Sequence, residues 1–315
     1  MAASIYFASG MKIGRAKTRM AGLQDQRRPV VELASGWIGG VHQCLALIGA
    51  RPPCAPGTKI PHRNYRCKPR VGIFMAKVHE TWQVEPHGRL QSIADGLLTV
   101  SGEIQMPLGH FPRRMTVIGL GGNRTAIWSC IPLAEPQMQE IEALGDPAFL
   151  IVPGAGHRLD IKPWKLRYPR AKIVCPPGAR EAVEKIVKVD STADIFEDPS
   201  VRMETVPGVA EKEAALFVRR DGGTTLIVND ILANVRHPHG IGAHIMAHVL
   251  GFGVDRPRMP RAARWFFVKD GKAMGAAFRK WSDEPDLGCI IVSHGDVITK
   301  QPRKVLERVA QDFGA

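Results

Sequence analysis

Phe149-Leu150-Ile151-Val152-Pro153-Gly154-Ala155-Gly156-His157 is the stretch that decides the fold. Its first four residues form a short apolar run, which predicts a buried β-strand. The Pro-Gly pair that follows ends the strand, and a histidine comes shortly after this turn. The pattern therefore predicts a metal-capable side chain at the point where a buried strand leaves the edge of its sheet.

The same pattern occurs twice more along the chain. Leu226-Ile227-Val228-Asn229-Asp230 ends in an aspartate, and Ile290-Ile291-Val292-Ser293-His294-Gly295-Asp296 carries a histidine at the same point. Imidazoles and a carboxylate are ligands that zinc and other divalent ions accept. The three strand ends together predict a metal site of His157, Asp230 and His294.

Two further histidines, His237 and His239, follow Asp230 within a few residues. We predict that they lie in a loop, from which they could line the same cleft. They are weaker metal-ligand candidates, because neither of them comes directly after an apolar strand.

The remaining elements follow from the spacing of apolar residues. The predicted strands cover residues 97–101, 115–120, 125–130, 149–152, 172–175, 201–206, 214–219, 225–228 and 287–293. The predicted helices cover residues 136–144, 179–188, 241–250, 273–281 and 303–313. Hairpins in the first half and helix–strand units in the second half predict an α/β (α+β) protein built as a four-layer αββα sandwich.

The order of the strand-end motifs resembles that of the metallo-β-lactamase superfamily. That family has a strand ending in Thr-His-x-His-x-Asp-His, then Pro-Gly-His, then a strand ending in Gly-Asp, and finally a strand ending in His-Gly. His157 matches the last histidine of the first motif, Asp230 matches the aspartate, and His294 matches the final histidine. The resemblance spans residues 97–315 and implies a metallo-hydrolase fold.

The chain departs from the family pattern at most of the ligand positions. Val152, Gly154 and Gly156 stand where the first motif has two histidines and an aspartate, and Val209 replaces the histidine of Pro-Gly-His. The likeness is closest to a branch with the same reduced first motif. Three remaining ligands imply one divalent ion (zinc, iron or manganese) or an empty site, since they cannot hold two metals.

Two functions follow from this resemblance. The first is a metal-dependent hydrolase with a mononuclear site, which acts on a small-molecule ester, lactone or thioester. In the family, the missing aspartate holds the attacking water, so its loss counts against this activity. The second is a non-catalytic member of the fold that serves as a binding module or scaffold.

The positive charge of the chain is concentrated before residue 75. Residues 1–74 hold 12 of the 43 Lys and Arg but only 2 of the 30 Asp and Glu, so the net charge of +13 belongs mostly to this segment. Its Arg, Pro and Gly content and its lack of periodicity predict a disordered leader. Residues 75–315 form the second predicted unit, which is nearly balanced in charge.

Three interpretations of this leader stay open. It is an Arg-rich targeting segment, a basic arm that touches nucleic acid, or sequence upstream of the true start at Met75. We favour the third, because the composition changes abruptly near Phe74. The near balance of charge in the second unit makes nucleic acid an unexpected partner. Intact-mass measurement of the native protein distinguishes a start at Met1 from one at Met75.

Composition indicates a globular protein of the cytoplasm. No stretch of about 18 apolar residues occurs, so we expect no membrane-spanning helix. The six cysteines include no Cys-x-x-Cys pair. Cys130, Cys175 and Cys289 lie in or beside apolar strands, which predicts buried free thiols in a reducing compartment.

Overall fold

The computed structural model describes residues 78–106, 109–237, 248 and 251–315. Its strands are β1 Gln91–Ala94, β2 Leu97–Met106, β3 Gly109–Leu120, β4 Arg124–Trp128, β5 Asp146–Ile151, β6 Lys172–Val174, β7 Val201–Thr205, β8 Ala214–Arg220, β9 Gly223–Val228 and β10 Leu287–Val292. Its helices are α1 Glu135–Leu144, α2 Ile161–Arg167, α3 Arg180–Glu184 (after a 3₁₀ turn at Pro177–Ala179), α4 Arg261–Phe267, α5 Gly271–Ser282 and α6 Pro302–Asp312.

The first six strands form one sheet in chain order, from β1 to β6. Strands β1 to β4 pair antiparallel, and the β3–β4 turn has Asn123 in the left-handed region at φ 54°, a conformation that asparagine tolerates. Strands β5 and β6 add in parallel, after the crossovers that contain α1 and α2. Parallel addition points the carboxyl ends of β4, β5 and β6 to one edge of the sheet.

The last four strands form the second sheet, in the order β10-β9-β8-β7. Strands β7, β8 and β9 are antiparallel neighbours, whereas β10 pairs parallel to β9. In that parallel pair Val228 is opposite Val292. The residues that follow these two strands, Asp230 and His294, therefore leave the sheet at the same edge.

Apolar side chains fill the three interfaces between four layers of helices and sheets. One cluster lies between the two sheets and joins side chains such as Trp128 and Ile151 to Leu216 and Ile227. The second cluster packs α1, α2 and α3 on the first sheet, and the third packs α4, α5 and α6 on the second. The predicted αββα sandwich is confirmed by this succession of helix, sheet, sheet and helix.

Burial on both faces explains why the decisive strand is uniformly apolar. In β5 Leu150 faces the first helix layer and Ile151 faces the other sheet, and both side chains are fully buried. A strand that is covered on both sides cannot alternate polar with apolar residues. The predicted buried thiols Cys130, Cys175 and Cys289 are also confirmed as free and buried.

One predicted helix is shorter in the structure, and one observed helix was not predicted. The helix predicted over 179–188 ends at Glu184, because Ile186 and Val187 both donate their N–H groups to Val183 in a closing turn. Helix α4 was not predicted, because a segment rich in proline and arginine precedes it and such a composition favours a loop. The helix predicted over 241–250 lies outside the described residues except for His248, as do residues 1–74. No helix of the described ranges is long and apolar enough to cross a membrane.

Replacing Ile151 with alanine tests the layer between the sheets. We expect a loss of about 2–5 kcal/mol in the free energy of unfolding, because the cavity would lie between two sheets that cannot collapse onto it. Leu166→Ala is the control, since that side chain is 66% exposed on α2, and its effect should stay within about 0.5 kcal/mol. Urea unfolding measures both, and equal losses in the two variants would contradict the layered packing.

Candidate metal centre

His157, Asp230 and His294 converge at one point. Each offers one ligating atom, and these atoms lie within 4.8 Å of one another. Asp230 Oδ1 is 2.9 Å from His294 Nε2 and 3.3 Å from His157 Nε2. The sequence-predicted group is thus brought together by the fold, with both imidazoles turned toward the same carboxylate oxygen.

The two sheets contribute these residues unequally. Asp230 and His294 follow the parallel strands β9 and β10, whose last residues are paired. His157 follows β5, in the other sheet, after a turn in which its N–H donates to the Gly154 carbonyl. The site therefore lies between the carboxyl ends of strands from both sheets, and its geometry depends on how the sheets pack.

The outer nitrogen of each imidazole is also held. His294 Nδ1 is 2.8 Å from the Pro112 carbonyl oxygen in β3, and this oxygen can only accept. His157 Nδ1 is 2.7 Å from the Ser129 hydroxyl, at the end of β4. Hydrogen bonds at Nδ1 fix the orientation of a ring and leave Nε2 to face a ligand. Both Nε2 atoms consequently face Asp230.

Strand β3 also holds the loop that carries His294. The buried Arg114 guanidinium donates to the Gly295 carbonyl over 2.8 Å. Gly295 has φ 106°, and a Cβ at this position would lie 2.2 Å from the Asn234 carbonyl oxygen. Only glycine fits here, because both the backbone angle and the close approach exclude a side chain. Asn234 in turn donates its N–H to the His294 carbonyl.

Asp230 and His294 stabilise each other's charge. Burial alone would raise the pKa of Asp230, but the charges and hydrogen bonds of His157 and His294 outweigh it and hold this pKa below its ordinary value. Burial alone would lower the pKa of His294, but Asp230 and the Pro112 carbonyl outweigh it and raise this pKa. Both ring nitrogens of His294 face acceptors, an arrangement that favours the doubly protonated imidazolium over the neutral ring.

The residues fit a divalent metal ion. Tetrahedral zinc with ligands at about 2.0–2.2 Å would separate neighbouring ligand atoms by about 3.3–3.6 Å. The two separations from Asp230 Oδ1, 2.9 and 3.3 Å, are close to that spacing, whereas the three atoms together lie within the wider limit of 4.8 Å. Two imidazoles and one carboxylate also match the donor sets of mononuclear zinc and non-haem iron sites, which keep open positions. To bind an ion, His294 must release the proton on Nε2 and keep the one on Nδ1.

A buried carboxyl group, Glu213, lies beside the turn that precedes His157. It is 2% exposed, and a Cβ added to Gly154 would lie only 2.3 Å from its Oε1. Asn229 Nδ2 donates to Oε2 over 3.0 Å. Burial, and after it the charge of Asp230, raise the pKa of Glu213 well above its ordinary value, more than the hydrogen bond from Asn229 lowers it. A side chain at position 154 would therefore require the Glu213 carboxyl group to move.

Of the two weaker histidine candidates, only His237 lies among the described residues. His237 is exposed, and the group of described residues that could hold a metal does not include it. His239 lies outside the described residues. A loop position near Asp230 in the sequence was the only indication for His237, and it does not fix where the side chain points.

Sequence reasoning missed Ser129, Pro112, Arg114 and Glu213 as parts of the site. Ser129 had a usable signal, since it is a polar residue at the end of an apolar strand, as Asp230 and His294 are. Pro112 contributes only a carbonyl oxygen, which no sequence pattern indicates. Glu213 precedes an apolar strand as any surface acid could, and only packing shows that it is buried.

The pH dependence of stability tests the Asp230–His294 pair in the metal-free protein. Because the pKa of His294 is raised in the folded protein, protonation of this residue stabilises the fold. The stabilisation is complete at pH values below the ordinary pKa of 6.5 and is lost as the pH rises through the raised pKa. The lowered pKa of Asp230 stabilises the fold above 3.8, and this contribution is lost as the pH falls below that value. The raised pKa of Glu213 acts in the same direction as that of His294, so a variant is needed to separate the two.

We expect the free energy of unfolding of the wild type to fall more steeply above pH 6.5 than that of His294→Gln. The variant keeps Glu213 but lacks the titrating imidazole. Urea unfolding in the presence of a chelator, repeated over a series of pH values, measures the two slopes. Equal slopes would mean that His294 is not held as an imidazolium by Asp230.

Comparison with known proteins gives a likeness to solved structures. No protein-family model matches the chain, and no curated protein matches it. The metallo-β-lactamase FIM-1 from Pseudomonas aeruginosa, solved in a mono-zinc form, is 12% identical with a TM-score of 0.46, and the match covers 73% of this chain and 96% of that enzyme. The metallo-β-lactamase DIM-1, exposed to ceftazidime, is 10% identical with a TM-score of 0.49, and the match covers 73% of this chain and 99% of that protein.

A metallo-β-lactamase from Hirschia baltica is 13% identical with a TM-score of 0.47, and this match covers 72% of the chain and 98% of that enzyme. The predicted αββα architecture is confirmed by the chain's own two sheets, their shared apolar layer and the helices outside them.

Proposed function

We propose that the protein is a metal-dependent hydrolase with one divalent ion held by His157, Asp230 and His294. The observation that carries this proposal is the convergence of three ligating atoms within 4.8 Å, with the outer nitrogen of each imidazole already hydrogen-bonded. Such outer hydrogen bonds are typical of metal-binding histidines. Zinc, iron and manganese all suit this set of donors.

A bound ion would supply Lewis acidity, which polarises a carbonyl oxygen and makes a water molecule more acidic. The chain's own residues would orient the reaction. Oδ1 of Asp230 faces both imidazoles, whereas Oδ2 lies 3.7 Å from where a Cβ of Gly156 would be. We infer that Oδ2 would accept a hydrogen bond from the attacking water and orient it, in place of the aspartate that the first motif lacks at position 156.

The reduced site supports the substrate class that we propose. A single ion with one nearby carboxylate is suited to an acyl carbon with a good leaving group, because little further proton transfer is needed. Ester, lactone and thioester bonds meet this condition. The proposal therefore retains a small ester, lactone or thioester as the substrate.

A non-catalytic role is the second candidate, and one observation favours it. Asp230 already pairs with both imidazoles, and the Ser129 hydroxyl and the Pro112 carbonyl satisfy the remaining ring nitrogens. The three residues would thus form a complete hydrogen-bonded cluster that stabilises the fold without a metal. In that case the fold would serve as a binding module or scaffold.

Metal content distinguishes the two functions. We expect the protein, purified without a histidine tag, to carry about one equivalent of zinc, iron or manganese. His157→Ala and His294→Ala should each lower zinc affinity by more than about 100-fold, because loss of a ligand should exceed the effect of losing its outer hydrogen bond. Hydrolysis of model esters, lactones and thioesters should fall with a chelator and return with the metal.

His237→Ala is the matched control, since this histidine is exposed and lies outside the cluster. It should bind metal and hydrolyse substrate as the wild type does. A metal content below about a tenth of an equivalent, even after incubation with each ion, would contradict the catalytic proposal and favour the binding role.

A further inference from the structure

Glu213 is the buried carboxyl group that the proposed chemistry does not use. It immediately precedes β8 and forms an antiparallel bridge with Gly154. Its carbonyl accepts the N–H of Val206, and the next residue, Ala214, donates its N–H to Pro153. The backbone around Glu213 therefore joins the turn before His157 to the second sheet.

The side chain of Glu213 extends from this bridge over Gly154. A Cβ at position 154 would lie 2.3 Å from Oε1, 2.9 Å from Cδ and 3.0 Å from Oε2, so the whole carboxyl group occupies the side-chain space of that residue. Real Cβ atoms do not approach other atoms so closely. Gly154 is accordingly the residue that makes room for Glu213.

The far end of Glu213 meets the turn that carries Asp230. Its Oε2 accepts from the Asn229 side-chain amide, and its carboxyl group also accepts the backbone N–H of Asp230. Asn229 is fully buried. One side chain thus fixes two successive residues at the end of β9, the second of which is the carboxylate of the metal site.

We propose that Glu213 is a positioning residue of the metal site, which fills the space left by Gly154 and fixes the backbone of Asp230 so that its carboxylate faces His157 and His294. This inference rests on the proposed function only as far as it concerns metal. Glu213 is not a ligand in this arrangement, since the group of candidate ligands does not include it. It acts through Asp230.

Four variants separate positioning from simple space filling. Glu213→Gln keeps the shape and an accepting oxygen. Glu213→Ala removes both. Glu213→Ala combined with Gly154→Ala returns a methyl group to the vacated space without restoring an acceptor. Glu140→Ala, on the exposed face of α1, is the matched control for loss of a glutamate side chain.

The first readout is zinc affinity of the full chain, measured by competition with a chromophoric chelator. We expect Glu213→Ala to bind zinc about 10- to 100-fold more weakly, as is usual when a residue that orients a ligand is lost. Glu213→Gln and Glu140→Ala should stay within about threefold of the wild type, since the one keeps the contacts and the other never had them. The double variant should regain stability against urea over Glu213→Ala but not affinity.

The second readout needs no metal. In the chelator-treated protein, NMR signals of the His157 and His294 rings should shift in Glu213→Ala and in the double variant, and stay unchanged in Glu140→Ala. If wild-type protein binds no zinc, the proposed function fails, and these ring signals alone decide the role of Glu213.

The proposal on Glu213 would be overturned by either of two results. The first is a folded Glu213→Ala variant with wild-type ring signals. The second is a double variant that recovers wild-type affinity together with stability, because the role of Glu213 would then be to fill space. Should Glu213→Ala fail to fold, the double variant and Glu213→Gln provide the same comparison.

Discussion

The apolar layer between the two sheets fixes the position of His157 relative to Asp230 and His294. His157 follows a strand of the first sheet, and the other two residues follow strands of the second. Packing in that layer holds these strand ends together, and the hydrogen bonds from β3 to the His294 loop and the bridge between Gly154 and Glu213 reinforce it. Side chains such as Ile151 and Ile227 interlock in that layer, so a change in sheet spacing would separate the ligating atoms.

Charge then determines what the converged residues can do. Asp230 stabilises the protonated form of His294, and a metal ion would have to displace the proton that these two residues share. Metal affinity and proton affinity therefore compete at one atom, His294 Nε2. The same pair can stabilise a metal-free fold or hold an ion, which is why metal content distinguishes the two proposed functions.

The reduced first motif has a structural counterpart. Gly154 leaves a space that Glu213 fills, and Glu213 in turn binds the backbone at Asp230. The loss of a side chain at one strand end is thus coupled to a buried carboxyl group from another strand. A histidine restored at position 154 would require the Glu213 carboxyl group to leave this space.

The sequence by itself determined the element types, the layered architecture and the three ligand candidates. Apolar runs covered on both faces, such as β5, and polar residues directly after them are local patterns that the chain displays without folding. Helix α4 was not predicted, because its arginine- and proline-rich approach favours a loop. The position of His237 was not predictable either, since a loop residue has no periodicity that indicates its direction.

Only the tertiary structure decided which groups surround the ligands. The Pro112 carbonyl, the Ser129 hydroxyl and the buried Glu213 come from segments distant in sequence from the histidines and aspartate that they contact. Their roles depend on sheet packing and on close approach at glycine, neither of which leaves a pattern in the sequence. Hydrogen bonds and pKa shifts act over a few ångströms in space, whereas a sequence records only neighbours along the chain.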